Sequence, residues 1–155
     1  MVGKPKTTLK SQKTATKKRN GENALADTDY EALAHFRYRL RVFVAFADEN
    51  AKKAGLTSQQ FQVLLAIKGF SRRKPMFVGE LAKLMLIKHH TTVELVDRMA
   101  KLELLRRTVD VNDNRRVLVT LTKKGLRLLQ KVATVNFRHL GSSSRTLSKL
   151  SRILH

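Results

Sequence analysis

The fold of this chain is decided by the stretch Asp113-Asn114-Arg115-Arg116-Val117-Leu118-Val119-Thr120-Leu121. Short Asn and Asp side chains bond their own backbone and tolerate left-handed conformations, so residues 112–114 predict a turn. The β-branched run 117–121 predicts a strand, and residues 104–111 have the apolar, β-branched composition of its antiparallel partner. The stretch therefore predicts a β-hairpin that carries two arginines at its tip and runs directly into a helix.

The charge balance of the chain indicates a polyanionic partner. Its 155 residues contain 32 Lys and Arg against 12 Asp and Glu, a net charge of +20 at pH 7. Residues 1–21 carry seven of the basic side chains, so most of the excess lies in the rest of the chain. A solubilising surface would mix both signs, whereas nucleic acid gains affinity from phosphate neutralisation and counterion release. Two arginines at a hairpin tip suit the narrow, negative minor groove of DNA.

Some classes of protein are excluded by what the chain lacks. It has no cysteine, which removes disulfides, thiolate metal sites and cysteine redox sensing. It also lacks a Gly-rich phosphate loop, a nucleophile elbow and a metal-spaced cluster, so we expect no enzyme, no catalytic residue, no cofactor and no metal. No stretch approaches the roughly 18 apolar residues of a membrane helix, and no secretory signal pattern opens the chain. We therefore expect a cytoplasmic protein without a membrane partner.

The chain divides by composition into four segments. Residues 1–22 predict a disordered basic tail, which is either an arm for phosphate contacts or an end without a specific role. Residues 23–55 predict a long N-terminal helix, residues 56–122 a compact unit that holds the hairpin, and residues 123–155 C-terminal helices. With 42% hydrophobic residues, the chain is long enough to bury a core.

Both ends of the chain carry apolar stripes at helical spacing. The first helix is predicted from Thr28 to about Lys53, capped by Asp27 or Thr28 and ended by Gly55. Its apolar face is Phe36, Leu40, Phe43, Val44, Ala47 and Ala51. The last segment is predicted to start at the N-cap Thr122, to break at residues 141–144 and to finish with Leu147, Leu150 and Leu154. A small core needs only part of these stripes, so we expect the two ends to build a dimer interface.

The compact unit contains a predicted helix-turn-helix. Thr57 and Gln60 form a capping box that starts one helix, and residues 69–76 predict a loop. A short helix over residues 78–85, a tight turn and a helix from His89 to about Leu102 follow. In a helix-turn-helix, the second of these helices lies in the major groove and presents its N-terminal residues to base edges.

This second helix has one face for the core and another for DNA. Thr92, Leu95, Val96 and Met99 stand at i, i+3, i+4 and i+7 and form the buried face. The candidate DNA contacts point outward, and they are His89, His90, Thr91, Val93, Glu94 and Arg98. His90 and Thr91 suit purine edges or phosphate, Val93 a thymine methyl and Glu94 a cytosine amino group. Arg98 suits a phosphate or a nearby carboxylate, and the alternative for His89 and His90 is a surface position without a role.

Five short motifs resemble, in order and spacing, the MarR family of winged helix-turn-helix transcription regulators. They are Leu56-Thr57-x-x-Gln60-x-x-Val63-Leu64, Val78-x-Glu80-Leu81-Ala82, Leu95-Val96-Asp97-Arg98-Met99, Asp113-x-Arg115-Arg116 and Leu121-Thr122-x-x-Gly125. The resemblance covers roughly residues 30–140. It implies a mainly α fold with a small β wing, in which a winged helix-turn-helix domain carries N- and C-terminal dimerisation helices. It also implies binding of double-stranded DNA as a homodimer and, in many members, release by a small-molecule effector.

The same resemblance assigns roles to the hairpin, which is the wing of this fold. Arg115 is expected to enter the minor groove while Asp113 holds its guanidinium or the turn, and Arg116 braces the hairpin or contacts phosphate. Arg106 and Arg107 on the incoming strand are expected to contact phosphate. A planar, weakly hydrated cation suits a narrow groove on physical grounds as well. The alternative is a solvated turn whose ion pair contributes little.

Two positions depart from the family pattern. Lys88 stands where a Ser or Asp often caps the second helix, and losing a cap costs roughly 0.5–2 kcal/mol. The free N–H groups at such an end are open to a DNA phosphate. Glu103 stands where glycine usually ends that helix, and a left-handed backbone there would cost roughly 1–2 kcal/mol.

A ligand site and a function follow from the resemblance as expectations. Members often hold an aromatic acid between the first helix and the winged domain, and the candidate residues here are Phe36, Arg37, Tyr38, Arg39 and Arg41. The alternative is a set of core aromatics beside DNA-neutralising arginines. The expected function is a dimeric repressor of a palindromic operator, relieved by a small aromatic ligand. The alternative is a nonspecific architectural nucleic-acid-binding protein, which the charge alone would permit.

Overall fold

The computed structural model describes residues 25–72 and 74–142 of the protein. The predicted tail at residues 1–22 and the predicted leucine-rich end at residues 147–154 lie outside these ranges. Within them, the elements in chain order are α1 Asp27–Lys53, α2 Ser58–Phe70, β1 Met76–Phe77, α3 Val78–Met85, α4 His89–Lys101, β2 Leu105–Val109, β3 Val117–Leu121 and α5 Lys123–Ser142. The prediction of a mainly α fold with a small β wing is confirmed.

The three strands form one antiparallel sheet with β3 in its centre. β2 and β3 pair from Leu105 opposite Leu121 to Val109 opposite Val117, which is the predicted hairpin. Strand β1 pairs with the other edge of β3. The predicted loop over residues 69–76 is wrong at both ends, because α2 continues to Phe70 and β1 begins at Met76. A strand of two residues is too short to show an alternating pattern in the sequence.

The start of α1 differs from the prediction, and the predicted break after α5 is described only in part. The N-cap of α1 is Ala26 rather than Asp27 or Thr28, and the Asp29 carboxylate accepts the backbone N–H of Ala26 at 2.9 Å. Helix α5 runs through Gly141 to Ser142, and the rest of the break expected at residues 141–144 lies outside the described residues. A glycine costs a helix only about 1 kcal/mol relative to alanine, which long helices tolerate.

The core lies between α2, α3, α4, the sheet and α5. The predicted inward face of α4 is confirmed, because Thr92, Leu95, Val96 and Met99 are all buried. Thr92 is its polar member, and the Thr92 hydroxyl donates to the carbonyl of Lys88 at 3.1 Å. This hydrogen bond satisfies the buried hydroxyl, whose burial would otherwise be costly.

Helix α1 is covered only near its C-terminal end. Ala47 and Ala51 of its apolar face are buried, whereas Phe36, Leu40 and Val44 are exposed. The apolar face of α1 is therefore largely uncovered within the described part of one chain. No helix of the described residues is long and apolar enough to cross a membrane.

Three helices end in a left-handed residue: α1 at Gly55, α3 at Leu86 and α4 at Glu103, with φ of 79°, 55° and 58°. The residue after each of them donates its backbone N–H to the carbonyl five residues earlier, as Leu104 does to Met99 at 3.0 Å. The left-handed region costs a residue with a Cβ roughly 1–2 kcal/mol. Helix α4 is therefore flanked by two strained residues, Leu86 and Glu103, and the left-handed backbone considered for Glu103 is present.

The link between α4 and β2 is docked against the start of α5. Thr122 donates its backbone N–H to the carbonyl of Leu104 at 3.3 Å and its hydroxyl to the carbonyl of Glu103. The Thr122 hydroxyl also accepts the N–H of Gly125 at 3.0 Å, which confirms it as the N-cap of α5. A Cβ at Gly125 would lie 1.9 Å from the Leu104 carbonyl oxygen. Only glycine therefore fits at position 125. Residues 103–104, 122 and 125 together form the joint between α4, β2 and α5.

Replacing Gly125 with alanine should lower the free energy of unfolding by about 2 kcal/mol or more, because the new methyl group meets backbone that cannot rotate away. Urea unfolding followed by circular dichroism measures this. The matched control is Gly69→Ala in α2, where a Cβ meets nothing within 4 Å and helix propensity should add about 0.5–1 kcal/mol. Equal effects of the two substitutions would contradict the close approach at Leu104.

Replacing Glu103 with glycine should raise the free energy of unfolding by about 0.5–1 kcal/mol, because glycine adopts positive φ without strain but loses more chain entropy on folding. Chemical denaturation again measures the change. The control Glu103→Ala also removes the carboxylate, 4.0 Å from Lys124 Nζ, but keeps the backbone strain. A gain from alanine as large as that from glycine would assign the effect to the side chain instead.

Candidate nucleic-acid interface

The N-terminal half of α4 presents a polar face that packs on nothing else in the described structure. His89, His90 and Glu94 are exposed, and Thr91 is partly so. The buried face of the helix fixes their direction, since the residues between them anchor α4 to the core. The side chains that were predicted from the sequence to contact bases therefore lie together on one accessible surface.

The first turn of α4 has no side-chain cap. Lys88 occupies the N-cap position with an extended backbone, and its side chain makes no capping hydrogen bond. The first N–H groups of a helix have no acceptor within the helix, and they point along the axis at its positive end. The N–H groups at this end of α4 can therefore donate to a phosphate oxygen in place of a cap.

Two of the candidate residues on α4 are only partly available. Val93 is half-buried and packs against the core, which leaves part of its side chain for a base. Arg98 lies 3.9 Å from the Glu94 carboxylate, one turn back on the same helix. Asp97 does not pair with Arg98, because it forms an ion pair and hydrogen bond with Arg107 of β2. The contacts of Val93 and Arg98 with DNA stay predictions.

The wing tip is organised by Asp113. Its Oδ1 atom accepts the backbone N–H of Arg115 at 3.0 Å and the Nε–H of the same residue at 3.1 Å. The hydrogen bonds from Arg115, the side chain first, lower the pKa of Asp113 and keep it ionised. The side chain of Arg115 is nevertheless 90% exposed, so the outer guanidinium nitrogens project from the tip. This geometry orients the arginine while leaving its binding atoms free.

Arg116 points the other way and ties the wing to the domain. Its guanidinium carbon lies 3.7 Å from the centre of the Phe77 ring, and its Nη1 atom lies 3.8 Å from Asp110. Phe77 is the N-cap of α3, where the carboxylate of Glu80 receives Lys74 Nζ at 2.6 Å. This hydrogen bond lowers the pKa of Glu80 and keeps it charged near Arg116. Of the two roles expected for Arg116, the geometry supports the brace.

The two arginines of β2 have different surroundings. Arg107 is held by Asp97 and so joins the wing to α4. Arg106 is exposed opposite Thr120, near the end of the hairpin that is remote from its tip. Neither position is at the tip itself, and their phosphate contacts stay predictions.

The expected effector residues do not enclose a site in the described structure. All five of them, Phe36, Arg37, Tyr38, Arg39 and Arg41, are exposed on α1. A cavity of about 540 Å³ lies further along, between α1, α2 and α5, and Phe43, Phe61 and Phe137 contribute to its apolar walls. Asn136 also lines it, is 6% exposed, and has an Nδ2 atom without a partner among the described residues.

Sequence reasoning missed this cavity, although Asn136 left a signal. Asn136 follows Leu129 and Val132 at helical spacing, so it is a polar residue in an otherwise apolar stripe. Its Oδ1 atom accepts Asn50 Nδ2 of α1 at 2.9 Å. No group of three metal-ligating side chains occurs in the residues that the structure covers.

Known proteins resemble this chain over the same elements. The MarR family profile matches residues 54–116. The uncharacterized HTH-type transcriptional regulator YsmB of Bacillus subtilis is 40% identical over 65 residues, which are 42% of this chain and 44% of that protein. The match thus spans less than half of that relative. The transcriptional activatory protein BadR of Rhodopseudomonas palustris is 29% identical over 126 residues, 79% of this chain and 72% of BadR.

Solved structures extend the likeness to the fold. A MarR family protein from Bacillus stearothermophilus superposes with a TM-score of 0.70 at 26% identity, over 84% of this chain and 99% of that one. A mutant of S. aureus MepR, bound to an oligodeoxyribonucleotide, shares the fold with a TM-score of 0.60 at 20% identity, over 81% and 95% of the two chains. Motifs and fold therefore agree over the same residues, because the chain matches the MarR family profile and shares the winged helix-turn-helix fold of a MarR family protein.

Proposed function

We propose that this regulator is a dimeric repressor that binds a palindromic DNA operator with α4 in the major groove and the wing in the minor groove. The observation that carries the proposal is the exposed Arg115, oriented by Asp113 at the tip of a braced hairpin. Asp113 holds the backbone N–H and the Nε–H of Arg115, while the outer guanidinium nitrogens stay free, and this arrangement suits insertion into a narrow, negative groove. The MepR mutant, whose structure holds an oligodeoxyribonucleotide, has the same fold.

Base recognition is assigned to the exposed residues at the start of α4. His90 and Thr91 donate to purine edges or phosphate, and Glu94 accepts from a cytosine amino group. Arg98, which lies 3.9 Å from Glu94, reduces the repulsion between that carboxylate and nearby phosphates. The uncapped N-terminus of α4 adds a phosphate contact that carries no sequence information.

Dimerisation is supported by apolar residues that one chain leaves uncovered. Phe36 and Leu40 of α1 are exposed, and Phe137 of α5 is 77% exposed. Apolar patches of this kind mark association surfaces. Two-fold pairing through α1 and α5 would place two α4 helices on half-sites about one helical turn, roughly 34–36 Å, apart.

Repression follows from occupancy, because a dimer on operator DNA excludes other proteins from the same sites. BadR is named as an activatory protein, so the sign of regulation needs its own test. A promoter–reporter fusion with and without this protein supplies it. Higher reporter output with the protein present would overturn repression while leaving DNA binding intact.

Relief by a small aromatic ligand is supported by the cavity between α1, α2 and α5. Its volume of about 540 Å³ lies within the range of small-molecule sites, and its walls are mainly apolar. The unpartnered Nδ2 atom of Asn136 offers a hydrogen bond to a ligand carboxylate. The exposed set Phe36 to Arg41 lines no part of this cavity, so its ligand role rests on the family resemblance alone.

Selection of bound duplexes from a random DNA pool at about 0.15 M salt tests the proposed function, since exposed charges are substantially screened there. A palindromic consensus with half-sites one turn apart is the expected result. In the same selection, Thr91→Ala or His90→Ala should change the preferred bases. An equal loss of affinity on all sequences would make these residues phosphate contacts, and no enrichment for the wild-type chain would favour a nonspecific binder.

Replacing Arg115 with alanine should weaken binding to the selected operator by about 1–3 kcal/mol, because the minor-groove contact is lost. Fluorescence anisotropy at constant salt measures the dissociation constant. Lys131→Ala on α5 is the control, since it removes one exposed positive charge far along the chain from the wing. Equal effects of the two substitutions would reduce Arg115 to a contribution to overall charge.

A further inference from the structure

A second strongly basic feature lies at the root of the wing, away from its tip. A cavity of about 690 Å³ opens between the β2–β3 hairpin and the first two turns of α5. Arg106 of β2 lines one side, and Lys123, Lys124 and Arg127 of α5 line the other. Lys123 and Arg127 are four residues apart, so they lie on the same face of the helix.

Most of this positive charge is not neutralised by the protein. Lys124 donates to the carbonyl of Leu102 at 2.9 Å and lies 4.0 Å from Glu103, which is the acidic side chain of the lining. Among the described residues, no carboxylate lies within ion-pair distance of Arg106, Lys123 or Arg127. Three unpaired cations therefore converge on one concave site.

This cluster lies apart from the wing tip and from the start of α4, which are the two surfaces proposed to read DNA bases and the minor groove. Arg106 pairs in register with Thr120, six residues before the turn at Asn112, and a strand rises about 3.3 Å per residue. The cavity also touches Ala100 and Glu103, at the opposite end of α4 from His89. At about 1.5 Å per residue, the length of α4 separates this end of the helix from His89 by roughly 15–20 Å. The cluster thus lies at the far end of both elements that are assigned to DNA.

We propose that this wing-root cavity binds a small polyanion, a compact molecule with two or more phosphate or carboxylate charges. Its volume falls within the range of small-molecule sites. Guanidinium groups grip phosphate and carboxylate oxygens with two parallel hydrogen bonds, so Arg106 and Arg127 are the principal ligands and Lys123 adds a point charge. The site is distinct from the apolar cavity between α1, α2 and α5, which suits a different ligand class.

Isothermal titration of the full chain with sodium pyrophosphate and, separately, with citrate tests the proposal at constant ionic strength. Saturable binding of either probe is expected, and the comparison tells phosphate from carboxylate preference. Arg106→Gln/Arg127→Gln should raise the dissociation constant at least about tenfold, since one charge-assisted hydrogen bond corresponds to about that factor. All substituted positions are exposed, so the variants should keep the wild-type melting temperature without ligand.

The matched control is Lys52→Gln/Lys83→Gln, which removes the same charge from exposed positions outside the cavity. It should leave the dissociation constant within about twofold, the small effect of distant, screened charges. Arg115→Gln should do the same, because the wing tip is a separate surface. Absence of saturable binding for both probes, or an equal loss in the cavity and control variants, would overturn the proposal. Either result leaves the operator selection unaffected, so the two hypotheses fail separately.

Discussion

The contact on which the rest of the structure depends is the approach of Gly125 to the carbonyl of Leu104, together with the hydrogen bonds of Thr122. The end of α4, the start of β2, the end of β3 and the start of α5 all meet there. The direction of α4, the base of the wing and the path of α5 toward the exposed apolar surface are therefore set by one backbone contact. Because no side-chain atom separates the two backbones, the geometry has little freedom to vary.

The wing is fixed further by two of its arginines, each of which contacts a different helix. Arg107 reaches Asp97 on α4, and Arg116 stacks on Phe77 at the start of α3. Both helices of the helix-turn-helix thus hold the hairpin directly, and the spacing between α4 and the tip becomes a property of the rigid domain. At the described wing tip, the outer end of Arg115 stays exposed and free to adapt to the proposed DNA partner. Preorganisation of this kind lowers the entropy that is lost on binding.

The sequence predicted those features whose signals are local. Thr57 with Gln60, and Thr122 with Gly125, are capping patterns within one helical turn, and the stripe on α4 follows from a single period. It could not predict β1, whose two residues pair with a strand far along the chain, because such a pairing leaves no periodicity. The surroundings of Arg106 and Arg107 also depend on tertiary packing. That packing places Asp97 beside Arg107, and it brings Arg106 to the same cavity as the basic side chains of α5.

The missing cap at Lys88 has a consequence for how a complex would form. In many helices a side chain at the N-cap accepts a hydrogen bond from the first turn. In α4 no side chain does so, and the first N–H groups are left for an acceptor outside the helix. In the proposed complex a phosphate of the DNA backbone accepts these N–H groups and so acts as the N-cap of α4. Part of the binding free energy then comes from backbone N–H donors of the first turn that no side chain of the free protein caps.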